Sequence, residues 1–323
     1  MRLPRALIPG LLALVLSACG GKAPPDPRFQ PSESVLEVVA VLRRHVPDDT
    51  YRFPPAVDFA GRNVYRASLV RLENLERVHA DALRSGYMDE VIAFAKGRAL
   101  ERLRAFELAA EAYRRAALRK GTLEMEALRS ASLCDALAEA ARIGFDPVGP
   151  PDPEAGPDEP GGPASPEETL DAFERRVALL EAIAEDVRDD PYAYLVQEEI
   201  ERADMARARW FEAMRLLSPE GNVRALGERQ RLVVRHRESK NANSHMLALA
   251  DLYADVAVEY VESNPPQGLL FDPPAFEEMV DAASRLYEAV ANQDGAPEKL
   301  AAQQRLEAFL AFTLQVDRDR FTR

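Results

Sequence analysis

Two cysteines and four histidines are the side chains of this 323-residue chain best suited to nucleophilic or proton-transfer chemistry near neutral pH. Their spacing builds no known apparatus. There is no Gly-x-Ser-x-Gly elbow, no His-Glu-x-x-His, no Walker glycine loop and no Cys-x-x-Cys. His236 and His245 lie nine apart across Asn241-Ala242-Asn243-Ser244, which suits no single-helix metal site. Asn243 or Ser244 reads better as a helix cap. His79 falls inside an apolar stripe and reads as a core residue. Carboxylates are plentiful, on faces that read as solvated or in turns such as Asp48-Asp49. No catalytic residue, metal set or cofactor is assigned. A glycosidase needs only two acids in a cleft, so hydrolysis on a helical scaffold stays open as the alternative.

Cys19 has a more informative context. Arg2 and Arg5 make a basic tip, residues 6–16 form an apolar run, and small residues precede the cysteine. That is the layout of a secretory signal, and the run is too short for a bilayer span of about twenty residues. Leu16-Ser17-Ala18-Cys19 resembles the lipobox of bacterial lipoproteins. The resemblance implies cleavage between Ala18 and Cys19, acylation of Cys19 (palmitate among the acyl groups) and a mature chain starting there. Each buried methylene contributes about 0.8 kcal/mol, and several chains together hold durably. Gly20 stands where an aspartate would imply inner-membrane retention. The resemblance therefore places the protein in the cell envelope, anchored to the outer membrane and facing the periplasm. Residues 19–31, dense in glycine and proline, read as a tether.

Composition narrows the partners. Removing residues 1–18 takes two arginines and moves the formal charge from −13 to −15. Such acidity argues against nucleic acid and anionic lipid headgroups, both of which need a basic patch. If Cys19 is acylated, only Cys134 remains, so no intramolecular disulfide can form. Cys134 sits with Leu133, Leu137 and Ala141 and reads as a small buried hydrophobe.

The elements that must position these residues are helical. Val35, Val38, Val39, Leu42 and Val46 recur at helical spacing behind Ser32 or Ser34. A loop at 50–62 holds Tyr51, Phe53 and Phe59, which read as pins across helix ends or as ligand contacts. Asn63 caps a helix to about residue 85 with the stripe Tyr65, Leu69, Leu72, Leu75, His79, Ala82 and Leu83. Gly97, Leu100, Phe106, Ala109, Tyr113 and Ala116 then fall at positions 8, 11, 17, 20, 24 and 27 of a 34-residue unit. This resembles the tetratricopeptide repeat, a helix pair in which small residues permit close approach and aromatics fill the gap. Gly121 replaces the usual proline at position 32 and Ala93 the tryptophan at position 4.

Residues 144–166 contain eight prolines and almost nothing apolar, and read as a disordered acidic linker or a long surface loop within one solenoid. Ser165-Pro166-Glu167-Glu168 restarts the helices. Ala206, Trp210 and Ala213 repeat the 20-24-27 spacing, and Ala283 and Tyr287 repeat it more weakly. Residues 286–309 resemble the junction between repeats in envelope lipoproteins that carry them. Tyr113, Trp210 and Tyr287 are 97 and 77 apart, neither a multiple of 34, so the array is irregular. Strand evidence is limited to the branched run 232–234.

One segment is basic: Arg224, Arg229, Arg231, Arg235, His236, Arg237 and Lys240. It reads as a face that pairs with neighbouring acids, with Arg229, Arg231, Arg235 and Arg237 as partner-binding candidates if it is more than that. The expectation is an all-α, irregular α-solenoid of antiparallel, tetratricopeptide-like helix pairs. Its segments are a signal peptide (1–18), a tether (19–31), two helical repeat domains (32–143 and 167–323) and the linker (144–166) between them. Its expected role is non-enzymatic: a membrane-anchored scaffold or adaptor for another envelope protein or peptide, with hydrolysis of cell-wall glycan as the alternative.

Overall fold

The computed structural model describes residues 64–78, 80, 89–143 and 165–321. The leader with Cys19, the tether, the first predicted helix, the aromatic loop, His79 and residues 144–164 lie outside the described residues. Ten α-helices and one 3₁₀ turn organise the described residues, with no strand among them. The fold is all-α and built from helix pairs. The chain divides into two compact units between Asp135 and Ala136.

The described part of the first unit holds α1 (Val64–Val78), α2 (Asp89–Arg102), α3 (Phe106–Ala117) and the start of α4 (Glu124–Arg142). Tyr65 and Leu72 of the predicted stripe are buried, with Ser68 between them. The α2–α3 hairpin is close because small residues line the contact. Ala93, Ala95, Gly97 and Ala99 are buried on α2, and Ala109, Ala110 and Ala116 on α3. Arg104 turns the chain between them at φ 62°. At position 32 of the repeat, the Glu90 carboxylate occupies the space a Cβ on Gly121 would take and accepts the Leu123 N–H at 2.6 Å. That bond closes the end of the hairpin in place of the missing proline.

The second unit continues with α5 (Pro166–Asp186), α6 (Ala193–Met214), a 3₁₀ turn (Arg215–Leu217), α7 (Gly221–Arg235), α8 (Ala242–Ser263), α9 (Pro273–Ala291) and α10 (Lys299–Phe321). Each packs on the next in the sequence through short connections, which makes neighbours antiparallel. Ser165 caps α5 with a reciprocal capping box to Glu168, and Pro166 takes the first turn. α7 begins at Gly221, and a Cβ there would lie 1.7 Å from the Arg215 carbonyl oxygen. Asp272-Pro273-Pro274 opens α9, where prolines lack only N–H groups that would be unpaired anyway. The run 232–234 lies inside α7. The core of α8–α10 is Leu247, Ala250, Ala257, Phe276, Ala283, Tyr287, Val290, Phe309 and Val316.

A buried charge network as the candidate functional site

The largest gathering of ionisable groups in the second unit centres on α6. Glu199, Glu201, Arg202 and Asp204 are all buried in the middle of that helix, because α5 and α7 pack on it from two sides. A charge so placed must be paired or neutralised. Asp204, 0% exposed, accepts from Arg231 at 2.9 Å on Oδ1 and from His236 Nε2 at 2.8 Å on Oδ2, and Arg235 pairs with Oδ2 across 3.1 Å. Glu201 Oε1 accepts from His245 Nε2 at 2.6 Å, Ser239 Oγ at 2.6 Å and Asn241 Nδ2 at 3.2 Å. The two imidazole centroids stand 6.4 Å apart. Burial pushes both carboxyls up. The hydrogen bonds from His236 and from His245 with Ser239, and the charges of Arg231 and Arg235, outweigh it and hold both below the usual range. An ionised carboxylate only accepts, so each Nε2 carries its proton.

Further pairs extend the network. Arg176 of α5, 1% exposed, lies 3.9 Å from Glu199, which also meets Arg202 at 3.3 Å. Arg229 bonds Glu212 through Nε at 2.9 Å, Arg235 reaches Glu181 of α5, and Lys240 reaches Glu198. This settles the place of the basic segment. Arg229 is buried, Arg231 and the exposed Arg235 are ion-paired into the network, and Arg237 is exposed beside Glu238 at 3.4 Å. The guanidinium groups of the first three join α7 to α5 and α6, as expected of a face that pairs with neighbouring acids. The cap before α8 is Asn241, not Asn243 or Ser244, and its side chain serves Glu201.

The repeat-packing residues divide. Gly97, Phe106, Ala109, Tyr113 and Ala116 are all buried in the α2–α3 contact, and Ala206, Ala283 and Tyr287 are buried too. Trp210 is half-buried, edge-on to Phe173 and Phe211 at 6.4 and 5.0 Å. Ala213 is exposed and packs no repeat. The reason is that α6 runs unbroken where a tetratricopeptide hairpin with that spacing would turn.

Two further polar groups have raised acids. In the first unit Glu101, 0% exposed, accepts from Tyr113 Oη at 2.8 Å and Arg98 at 3.3 Å, and burial outweighs both and pushes its carboxyl up. Cys134 Sγ lies 4.0 Å from the same carboxylate, and its thiol is pushed far up by burial. It is an inert core residue, as the sequence indicates. In the second unit, Asp251 accepts from Tyr287 Oη at 2.8 Å and from Arg305, with Asp255 one turn along α8. Burial raises both, and neighbouring acids add to it.

Asp204 and Glu201 are buried and engaged by the side chains of α7, α8 and the turn between them. Among the described residues no group of three His, Cys, Asp or Glu could hold a metal ion, and no helix is long and apolar enough to cross a membrane. Open depressions of about 380 Å³ at Lys96, Leu108 and Arg115 and about 240 Å³ at Glu181, Gln197 and Arg235 are not lined by Glu101, Asp251 or Asp255. The buried acids of α6 escape sequence reading because a charged helix face looks the same whether water or another helix covers it. The available signal is the match between an acid-rich α6 and the basic segment that follows. Comparison with family models, curated proteins and solved structures finds no match to this chain.

Proposed function

We propose that this protein is a lipid-anchored helical-repeat scaffold of a bacterial envelope, held through Cys19 and presenting its helix pairs to another protein or a peptide. The observation that carries the reading is the commitment of Asp204 and Glu201, with the cations around them, to holding helices in register. Polar groups spent on packing suit a rigid support, and stacked helix pairs expose long surfaces on which repeat proteins take up extended segments. Of the four arginine candidates, Arg229 is buried and Arg231, Arg235 and Arg237 keep some or all of their surface for a partner.

A second reading, hydrolysis of cell-wall glycan, draws on Asp251 and Asp255, two acids with raised pKa values a turn apart on α8. The test is to recover the chain from fractionated envelopes, wild type against Cys19→Ser, with intact mass and cross-linked partners identified. The expected wild-type product starts at residue 19, carries acyl mass, sediments with outer membrane and brings a protein partner. A free thiol on a soluble product overturns the anchor. Turnover of peptidoglycan lost in Asp251→Asn, with no partner, moves the assignment to the second reading.

A further inference from the structure

Helices of the second unit alternate in direction, so the α6–α7 turn, the α8–α9 turn and the C-terminal end of α10 share one end of the stack. Arg215 at the end of α6 bonds Glu259 near the end of α8 at 2.6 Å. Arg320 of α10 lies 5.7 Å from the Phe271 ring in the α8–α9 turn. At this end both turns carry adjacent leucines facing water. Leu216 and Leu217 are 72% and 74% exposed, Leu269 and Leu270 105% and 81%. A single exposed leucine means nothing. Two pairs on separate hairpins, at one end, do.

Both turns are built to project them. Pro265 accepts the Gly268 N–H at 2.8 Å, and Phe271 is seated against Tyr260 and Phe276 at 5.7 and 5.6 Å, which pushes the two intervening leucines outward. In the other turn, the close approach of Gly221 to the Arg215 carbonyl folds the chain back beneath Leu216 and Leu217. Residues 264–271 carry no charge and residues 216–223 only Glu220. Exposed leucine pairs whose neighbouring arginines are already engaged, Arg215 by Glu259 and Arg224 by Glu220, fit the acyl layer of a bilayer rather than anionic headgroups.

We propose that these two tips dip into the acyl region of a membrane and set the second unit end-on against it, with zwitterionic lipid a sufficient partner. The inference rests on the lipid-anchored reading, since the acyl chains deliver the tips to the bilayer. The test places an environment-sensitive thiol probe on Leu217→Cys or Leu270→Cys, with Asp189→Cys in the α5–α6 turn as the reference at the opposite end. The full chain is read in zwitterionic phosphatidylcholine vesicles with a bilayer-embedded quencher, and the mass at Cys19 is determined on the same sample. Expected is several-fold stronger quenching at 217 and 270 than at 189, unchanged by salt. Equal quenching at all three sites, or a response that needs added envelope protein, overturns it. Acylated Cys19 with water-exposed tips sinks this inference alone. Unmodified Cys19 with buried tips sinks the anchor alone.

Discussion

A methyl group on Gly97 would lie 2.6 Å from Cε1 of Tyr113. The ring cannot retreat: its hydroxyl is bonded to Glu101 at 2.8 Å and its edge meets Phe94 at a centroid distance of 5.1 Å. Position 8 and position 24 of the repeat are therefore one contact. Gly97→Ala gains about 1 kcal/mol of helix propensity but overpacks the core at about 1–3 kcal/mol. A net loss in urea unfolding is expected. Gly227, in α7, has nothing within 4 Å of an added Cβ, so Gly227→Ala should gain about 1 kcal/mol. Equal effects of the two substitutions would remove the close-approach argument.

Asp204→Asn tests the network. The amide leaves Arg231, Arg235 and His236 without their shared anion, and breaking a buried pair in this way costs about 3–5 kcal/mol. Arg237→Ala, on the exposed side of the same segment, should fall within about 0.5 kcal/mol of wild type. Guanidinium unfolding followed by circular dichroism separates these outcomes, and a mild Asp204→Asn would mean that the network is not what holds α7 in place.

Acid should weaken the second unit through the same residues. Asp204 and Glu201 are held below their unfolded values, so the unfolded chain binds more protons and stability rises with pH. Their contribution is full above the usual carboxylate values near 4 and is lost as pH falls through the lowered ones. The deficit of Asp204→Asn or Glu201→Gln relative to wild type should shrink over that window. A deficit that stays constant with pH would contradict the assigned charge states.

Sequence made local relations visible and hid those that need a third element. Ser165 and Glu168 bond within one turn of helix, so the capping box is written in four consecutive residues. Gly97 and Tyr113 belong to adjacent helices joined by a short turn, and the spacing of small and large residues encodes their contact. Asp204 on α6 reads as one of the solvated acids, because its burial depends on α5 and α7 both packing on α6. Ala213 fails for a related reason: its spacing has repeat meaning only if the chain turns before it, and α6 does not. Asp272-Pro273-Pro274 carries both turn and helix-start chemistry, and the aromatic seat of Phe271 beside it decides for the helix.

Glu101 should behave in the opposite sense to Asp204. Its carboxyl is fully buried, and the loss of water outweighs the attraction of Arg98 and the hydrogen bond from Tyr113, so its folded value is raised. The native state then binds the proton more tightly than the unfolded chain, and stability falls as pH rises from the usual glutamate range through the raised value. Glu101→Gln keeps an acceptor for the Tyr113 hydroxyl and removes the titration. Arg98 retains Glu126, 3.8 Å away. The variant should match wild type at low pH and exceed it near neutrality, with Cys134 still protected from thiol reagents because its burial is unchanged. Stability curves at both ends of that range, together with the thiol reaction rate, decide it. A Gln variant less stable than wild type at neutral pH would show that Glu101 is held as a paired anion and that burial does not dominate.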